Sequence, residues 1–445
     1  MGRIKLSKYL TKVFETPDNT GSWFGYYNYD TLNHDQTKML SNRSSHDAQL
    51  VEKGMTIDVG YYDVPGGEWH KIGTSDSYNW PQGCMLQWLP GYGNENKVIY
   101  NLSKNNHLIA RIHDISTGEN RDINWSIYGI TPDGKKSIAL NMERSYWCRA
   151  YHYESVQNKK YDVKVADEDG IFEIDLENNT RKRIISIQDI IKIDSEPYFN
   201  DCKHWLEHIM ISPNGKQFCF LHRFSLSNIY NYETRLFIAN IDGTNFQIIP
   251  NWRKYDWSHF GWNGENAFAI FSYLLKTRKI VQISKLEKQD EYKRQLNHIK
   301  IKKWLISNIP HNLKRYLLRI RDGYKNNYQY YSNNLGYFEL KDTFKSKFLD
   351  IDGHPSFTSN HQFMITDSYP DYNHFHRLVI YNLNNRKSLL LGKIYAGLNH
   401  MPGSCDLHPK LCSNDKYLVV DTAYDGKHHM ILFELNWELI NKKIL

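Results

Sequence analysis

Short apolar runs cut by turn residues recur along the whole chain. The recurring unit begins with a polar or aromatic residue and a few apolar ones. Ser/Thr-Pro-Asp/Asn-Gly or a relative comes next, then a β-rich run. The clearest copies are Gly129-Ile130-Thr131-Pro132-Asp133-Gly134-Lys135 and His208-Ile209-Met210-Ile211-Ser212-Pro213-Asn214-Gly215-Lys216. Looser copies are His259–Gly264, His354–Asn360 and His408–Asp415, and two degenerate ones are Gly25–Asp30 and Met85–Pro90. Each copy predicts a strand, a tight turn and a second strand, because proline presets φ and glycine accepts positive φ.

The expected second strands are Ile138–Leu140, Phe218–Leu221, Ala267–Phe271, Phe363–Thr366 and Tyr417–Asp421. Third strands are expected at Arg235–Asn240, Gly336–Leu340, Leu378–Asn382 and Met430–Leu435, with Asp242-Gly243 and Asn384-Asn385 turning into fourth strands. Four short antiparallel strands repeated roughly every 40–60 residues are the mark of a β-propeller. The fold class is therefore all-β: one seven-bladed β-propeller domain spanning residues 1–445. A Lys/Arg-rich, helix-like insertion at 285–321 falls in the fifth blade, and a smaller charged insertion lies near Ser155–Asp169.

Composition agrees with this pattern. The 445 residues are 14% aromatic and 24% charged, with a net charge of +7. That is globular usage enriched in strand formers and in flat rings that stack on sugars. The mild positive charge suits a polyanionic ligand. No run reaches the roughly 18 apolar residues of a membrane span. The start of the chain lacks an apolar signal core, so a cytoplasmic location is expected. The six cysteines are scattered without a CxxC pair, which fits buried, reduced thiols. The basic insertion also carries acidic residues, so it reads as a solvated face, and no nucleic-acid partner is expected. The bias toward Asn, Lys, Ile and Tyr suggests an AT-rich bacterial gene.

In a propeller the first strand of each blade lines the central channel, and its start lies beside the end of the second strand. His208, His259, His354 and His408 hold the first of these positions in four blades. The second-strand ends bring Arg43, Asn101, Asn141, Glu143, Arg144, His222, Arg223, Ser272, Tyr273, Asp367, Tyr369, Asp421 and Tyr424 toward the same mouth. A histidine-lined funnel with arginines and tyrosines suits proton transfer next to a carboxylate. His208 or His222 can be the base, Arg223 or Arg144 can pair with the carboxylate, and Tyr273 or Tyr369 can protonate a leaving oxygen. Arg43, Asn101, Asn141, Arg144, Trp88 and Tyr369 are the expected substrate-binding residues. Trp80, Trp147 and Trp262 also lie near predicted blade mouths. Imidazoles converging from separate blades can also hold a divalent cation.

The His208–Gly215 copy, Phe220-Leu221-His222-Arg223, Ser258-His259-Phe260-Gly261-Trp262 and Asp406-Leu407-His408-Pro409 resemble the propeller-type polysaccharide lyases. Oligogalacturonate lyase is one of these, and ulvan lyases share the architecture. The resemblance implies β-elimination on a uronic-acid-containing, acidic oligo- or polysaccharide of bacterial or plant origin. It implies His222 as base with an assisting arginine. It also implies a divalent metal, Mn or Ca, on the side of His259, His354 and His408. Two positions depart from the family pattern. Arg223 stands where a glutamate often follows the base histidine, and Asp406 stands near His408 where a glutamine is expected. Two other functions stay open on the sequence: a non-catalytic glycan- or protein-binding TolB-like propeller, and a propeller glycoside hydrolase using carboxylates such as Glu143, Asp367 and Asp421.

Overall fold

The structure is a computed structural model. It describes residues 2–17, 19–47, 49–144, 153–156, 163–226, 232–275, 327–371, 373–397 and 405–445. Seven antiparallel sheets follow one another along the chain, each with four or five strands. The first blade is Gly21–Trp23, Lys38–Ser44, Ile57–Asp63 and Trp69–Ser75. The second is Gln87–Trp88, Lys97–Lys104, His107–Asp114 and Asn120–Ile123, and the third Gly129–Ile130, Lys136–Ala139, Gly170–Asp175 and Thr180–Ser186. The fourth is Lys203–Ile211, Gln217–Ser225, Glu233–Asn240 and Gln247–Ile248. The fifth is Tyr255–Trp262, Ala267–Leu274, Asn327–Asn334 and Tyr337–Phe344.

The last two blades use the N-terminus. The sixth comprises Ser356–Phe357, Phe363–Asp367, Phe375–Asn382 and Ser388–Tyr395, with Ile4–Leu6 added on its outside. The seventh comprises Lys410–Leu411, Tyr417–Thr422 and His429–Leu435, and Leu10–Glu15 is its outermost strand. Strands from the two ends of the sequence thus share a sheet and close the ring.

The expected seven-bladed propeller is the fold. Two details differ from the sequence reading. Of Gly336–Leu340, Tyr337–Leu340 belong to the fourth strand of the blade and Gly336 to the turn before it, because Asn327–Asn334 supplies the third. The degenerate copy at Gly25–Asp30 is not a strand pair. It runs into the channel, held where the Asp421 carboxylate accepts the backbone N–H groups of Phe24 and Gly25. The insertion at 285–321 lies outside the described residues. Among them, no helix is long and apolar enough to cross a membrane.

Strands between two neighbouring blades are buried on both faces, and period-2 alternation divides their side chains. In the fourth blade Phe218, Phe220, Phe237 and Ala239 join the cluster shared with blades two and three. The residues between them, Cys219, Leu221, Leu236 and Ile238, join the cluster shared with blade five. This explains second strands that read as near-continuous apolar runs. It also employs most of the aromatic excess, since each large ring buries about 150–250 Å².

The turn residues interlock neighbouring blades. A Cβ on Gly134 would lie 2.0 Å from the Pro90 carbonyl oxygen, and one on Gly215 would lie 2.8 Å from the Pro132 ring. The glycine of one copy thus nests against the proline of the copy before it. Gly134 also has φ +71. Gly134→Ala should therefore lower the unfolding free energy by about 2–4 kcal/mol, through left-handed strain plus the clash. Urea denaturation measures this, and an unshifted midpoint would show that the turns do not interlock.

Candidate functional site

Blades four and five carry the same irregularity in their inner strands. Pairing slips between Glu207 and Met210 in one, and between Trp257 and Phe260 in the other. Each slip is a bulge that leaves one extra residue out of the ladder. His208 lies in the first bulge, at φ +56, and His259 in the second. In blades six and seven the inner strands are short, and the histidines precede them. The Asp367 carboxylate accepts the backbone N–H of both His354 (2.7 Å) and His408 (3.2 Å). One carboxylate at the end of a second strand therefore fixes two histidines.

The imidazoles meet at the axis. Ring centroids of His259 and His354 are 4.1 Å apart, and those of His354 and His408 are 4.2 Å apart. Behind them are carboxylates that can only accept. His354 Nδ1 lies 2.9 Å from Asp367, so it carries the proton and Nε2 keeps its lone pair. His354 Nε2 is buried without a partner. His259 Nδ1 lies 3.2 Å from both Asp352 oxygens, and the same carboxylate accepts from Tyr273 Oη at 3.1 Å. Carboxylate–imidazole pairs that leave Nε2 free are the common outer shell of metal-ligating histidines. Donor atoms of His354, Asp406 and His408 lie within 4.8 Å of one another. Burial holds His354 and His408 well below the usual imidazole range. They are therefore neutral, the form that ligates. This donor set fits a divalent transition metal.

The opposite wall is built by blade four and the axial loop. Arg223 Nη1 donates to Glu207 Oε2 at 2.5 Å, while Arg223 Nε is buried without a partner. Tyr26 Oη lies 2.6 Å from His208 Nδ1, and His208 Nε2 lies 3.3 Å from Glu207 Oε2. Tyr26, Gln82, His208, Arg223, Tyr232, His259, His354, Tyr369, Asp406 and His408 line one cavity of about 170 Å³. Tyr27 lies behind the imidazoles and also lines a wider cavity at the opposite mouth. The Tyr27 hydroxyl donates to the Phe260 carbonyl, and its ring packs on His354 at 5.0 Å. Arg223 is the one cationic side chain among the described lining residues. Glu207, Asp352 and Asp367 lie around it, and burial pushes the Asp406 carboxyl up to about 7.

His208, Arg223, His259, His354, His408 and Tyr369 thus converge as expected. Tyr273 is one step removed, its hydroxyl committed to Asp352. His222 is not at the cavity. Period 2 turns it onto the blade face opposite to Arg223, where it is fully buried. Its Nε2 meets His204 Nδ1 at 2.9 Å, and its Nδ1 accepts from Arg235 Nε at 3.0 Å. With both nitrogens engaged, His222 has no lone pair for a substrate.

The remaining expected contacts lie elsewhere. Arg43 packs on Trp69 and donates to Thr20. Asn101 is fully buried and bonds both backbone groups of Ile127, tying blade two to blade three. Arg144 pairs with Asp169 at 2.8 Å and donates to the His204 carbonyl. Asn141 and Glu143 line a separate small cavity. Trp88 and Trp262 line a wider cavity of about 840 Å³ at the opposite mouth, where the Ser/Thr-Pro turns meet. Trp80 is buried and stacked on His428. Trp147 lies outside the described residues. Among the described residues, Asp367 and Asp421 are engaged with histidines and with backbone amides, so neither offers the free carboxylate that glycoside hydrolysis needs.

Tyr26, Tyr27, Glu207, Asp352, Gln82 and Tyr232 were not expected at the site. The available signal was the row of four aromatic or polar residues, Tyr26–Tyr29, in the weakest copy. For Glu207 it was a carboxylate inside an apolar strand.

No family model and no curated protein matches this sequence. Many solved structures are similar to it, and two oligogalacturonate lyases are among those that share its fold. Oligogalacturonate lyase in complex with manganese is 12% identical, with a TM-score of 0.58 over 99% of this chain and 98% of that one. Oligogalacturonate lyase from Vibrio parahaemolyticus is 13% identical, with a TM-score of 0.57 over 97% of each chain.

The His204–His222–Arg235 chain has a consequence for stability. His204 Nε2 meets the Phe199 carbonyl, which only accepts, so the hydrogen bonds run one way with both imidazoles neutral. Burial lowers His204 to about 4 and pushes His222 further below its usual range. An unfolded histidine titrates near 6.5, so between that value and 4 the unfolded chain binds more protons. Stability should be full above about pH 6.5 and fall as pH drops, by about 3 kcal/mol from His204 alone. Denaturant midpoints from pH 7.5 to 4.5 measure the slope. His222→Gln should flatten it, and an unchanged slope in that variant would refute the assignment.

Proposed function

We propose that the protein is a polysaccharide lyase that cleaves a uronic-acid-containing glycan by β-elimination, assisted by a divalent cation. His259, His354, His408 and Asp406 would hold the cation, and manganese fits the donor set. The observation that carries this reading is that His354 and Arg223 line one cavity and each keeps a buried nitrogen without a hydrogen-bond partner: His354 Nε2, a lone pair, and Arg223 Nε, a donor. An acidic sugar next to a cation satisfies both. The manganese complex of the structurally similar lyase supports the choice of metal.

The difficulty of the reaction is removing a proton beside a carboxylate, where negative charge accumulates on a group already negative. When bound, the cation supplies positive charge that offsets both the surrounding carboxylates and the charge growing on the substrate. The Arg223 guanidinium would pair with the substrate carboxylate, and the Glu207 bond holds it in place. His208, at the cavity wall, would serve as the base. Burial lowers it to about 4, so it is neutral and able to accept at neutral pH. Gln82, Tyr232 and Tyr369 surround the sugar with polar and aromatic groups.

The test is a rise in ultraviolet absorbance from unsaturated uronate when the protein, loaded with Mn²⁺, meets a panel of acidic oligo- and polysaccharides. Chelation should abolish the rise, and added Mn²⁺ should restore it. His354→Ala should lose bound metal and activity together. Absence of product from every glycan, with Mn²⁺ or Ca²⁺ present, would sink the proposal. Arg223→Ala should raise KM and lower kcat/KM by about 100-fold or more, since it removes a charge-assisted bond to the substrate carboxylate and the cation that offsets the buried Glu207. Unchanged kcat/KM in that variant would take the carboxylate-binding role from Arg223.

A further inference from the structure

We propose that the cavity at the opposite mouth is a binding site for a small organic cation, an ammonium or guanidinium nitrogen carried on an apolar body. The cavity measures about 840 Å³, and no residue lines both it and the histidine chamber. The whole chain carries a charge of +7. Yet the described lining here holds three carboxylates, Asp30, Glu95 and Asp415, and no Lys or Arg. Two of the three are committed. Glu95 accepts the Gly93 N–H, and Asp415 accepts the N–H and the hydroxyl of Ser359. Asp30 is open to water, yet the protein around it raises its carboxyl to about 6, and no hydrogen bond or neighbouring cation offsets that rise. Exposure and desolvation coexist in a group that looks into a partly enclosed space.

The walls suit the body of such a ligand. Trp88, Trp262 and Tyr29 line the same cavity, and each donates its polar hydrogen to a backbone carbonyl, of Thr31, Met210 and Tyr128 respectively. What these side chains leave to the cavity is ring. Aromatic faces are electron-rich and attract cations. Asn28 Oδ1, a further acceptor of the lining, has no hydrogen-bond partner. Acceptors and rings without a fixed cation disfavour an acidic ligand and leave the positive charge for the ligand to bring. Asp30 bears a desolvation cost and makes no bond that stabilises the fold, which is how a binding carboxylate in a cleft differs from a structural one.

Isothermal titration calorimetry of the full chain with phenethylamine, agmatine and choline tests the site. Phenethyl alcohol and phenylacetate serve as neutral and anionic counterparts. At least one of the three cations should bind saturably, and more tightly than either counterpart. Asp30→Asn keeps the side-chain shape and removes its charge. It should weaken that cation by about tenfold or more and leave phenethyl alcohol unchanged. A cation that binds wild type and Asp30→Asn equally sits elsewhere, and that result would overturn the proposal. So would phenylacetate binding more tightly than phenethylamine, or no saturable binding of any cation up to about 10 mM. Should Asp30→Asn not fold, salt decides with the wild type alone. Raising NaCl from about 20 to about 500 mM should weaken the bound cation several-fold and leave phenethyl alcohol no weaker. An equal response of the two would overturn the assignment.

Discussion

A blade with neighbours on both sides has no solvent face, and the rest of the molecule follows from that constraint. Every side chain in the middle of a second strand must suit one apolar interface or the other. Polar groups can be placed where a strand ends at the axis, where a bulge breaks the ladder, or where a buried network satisfies them completely. The site uses the first two options. His208 and His259 are bulged out of their inner strands, and Arg223 stands near the end of its strand. The His204–His222–Arg235 chain uses the third. Its three members satisfy one another and the carbonyls of Phe199, Ile190 and Ile193, so it stiffens the strand that carries Arg223 without facing the cavity.

Much of the fold was legible because the repeat is written in turn chemistry. Proline and glycine mark the hairpins and also sit where blades touch, so the same residues reported both local and tertiary structure. The four histidines were legible for a related reason: alignment on the turns put them at one structural position. Adjacent residues were harder to read. His222 and Arg223 end the same strand, and nothing in their order says which of two opposite faces meets the axis. That depends on where the pairing register stops and on which neighbour supplies a partner, here Arg235.

The axial loop was illegible for a different reason. Gly25–Asp30 has strand-like composition, but Gly25 sits at φ +117, where a Cβ would lie 2.6 Å from the Gln82 backbone. Capture of the Phe24 and Gly25 amides by Asp421 comes from the far end of the sequence. A contact across nearly 400 positions leaves no local trace. Asp352 and Asp367 were similarly hidden in role. Each reads as a loop cap until its histidine is seen beside it.

Closure of the ring also sets an order of events in time. Leu10–Glu15 pairs with His429–Leu435, and the loop after the next strand, Gly21–Trp23, delivers Tyr26 and Tyr27 onto His208, His354 and His408. During synthesis the first strand must wait, unpaired, for nearly the whole chain to emerge. Contacts of such high sequence separation form slowly, because loop closure must come before they reward it. The histidine chamber therefore has no partial form. Its walls come from residues 26 to 408, and a nascent chain that stops short of the seventh blade has neither a complete set of imidazoles nor an edge for its own beginning. The chamber, on this topology, exists only in the finished ring.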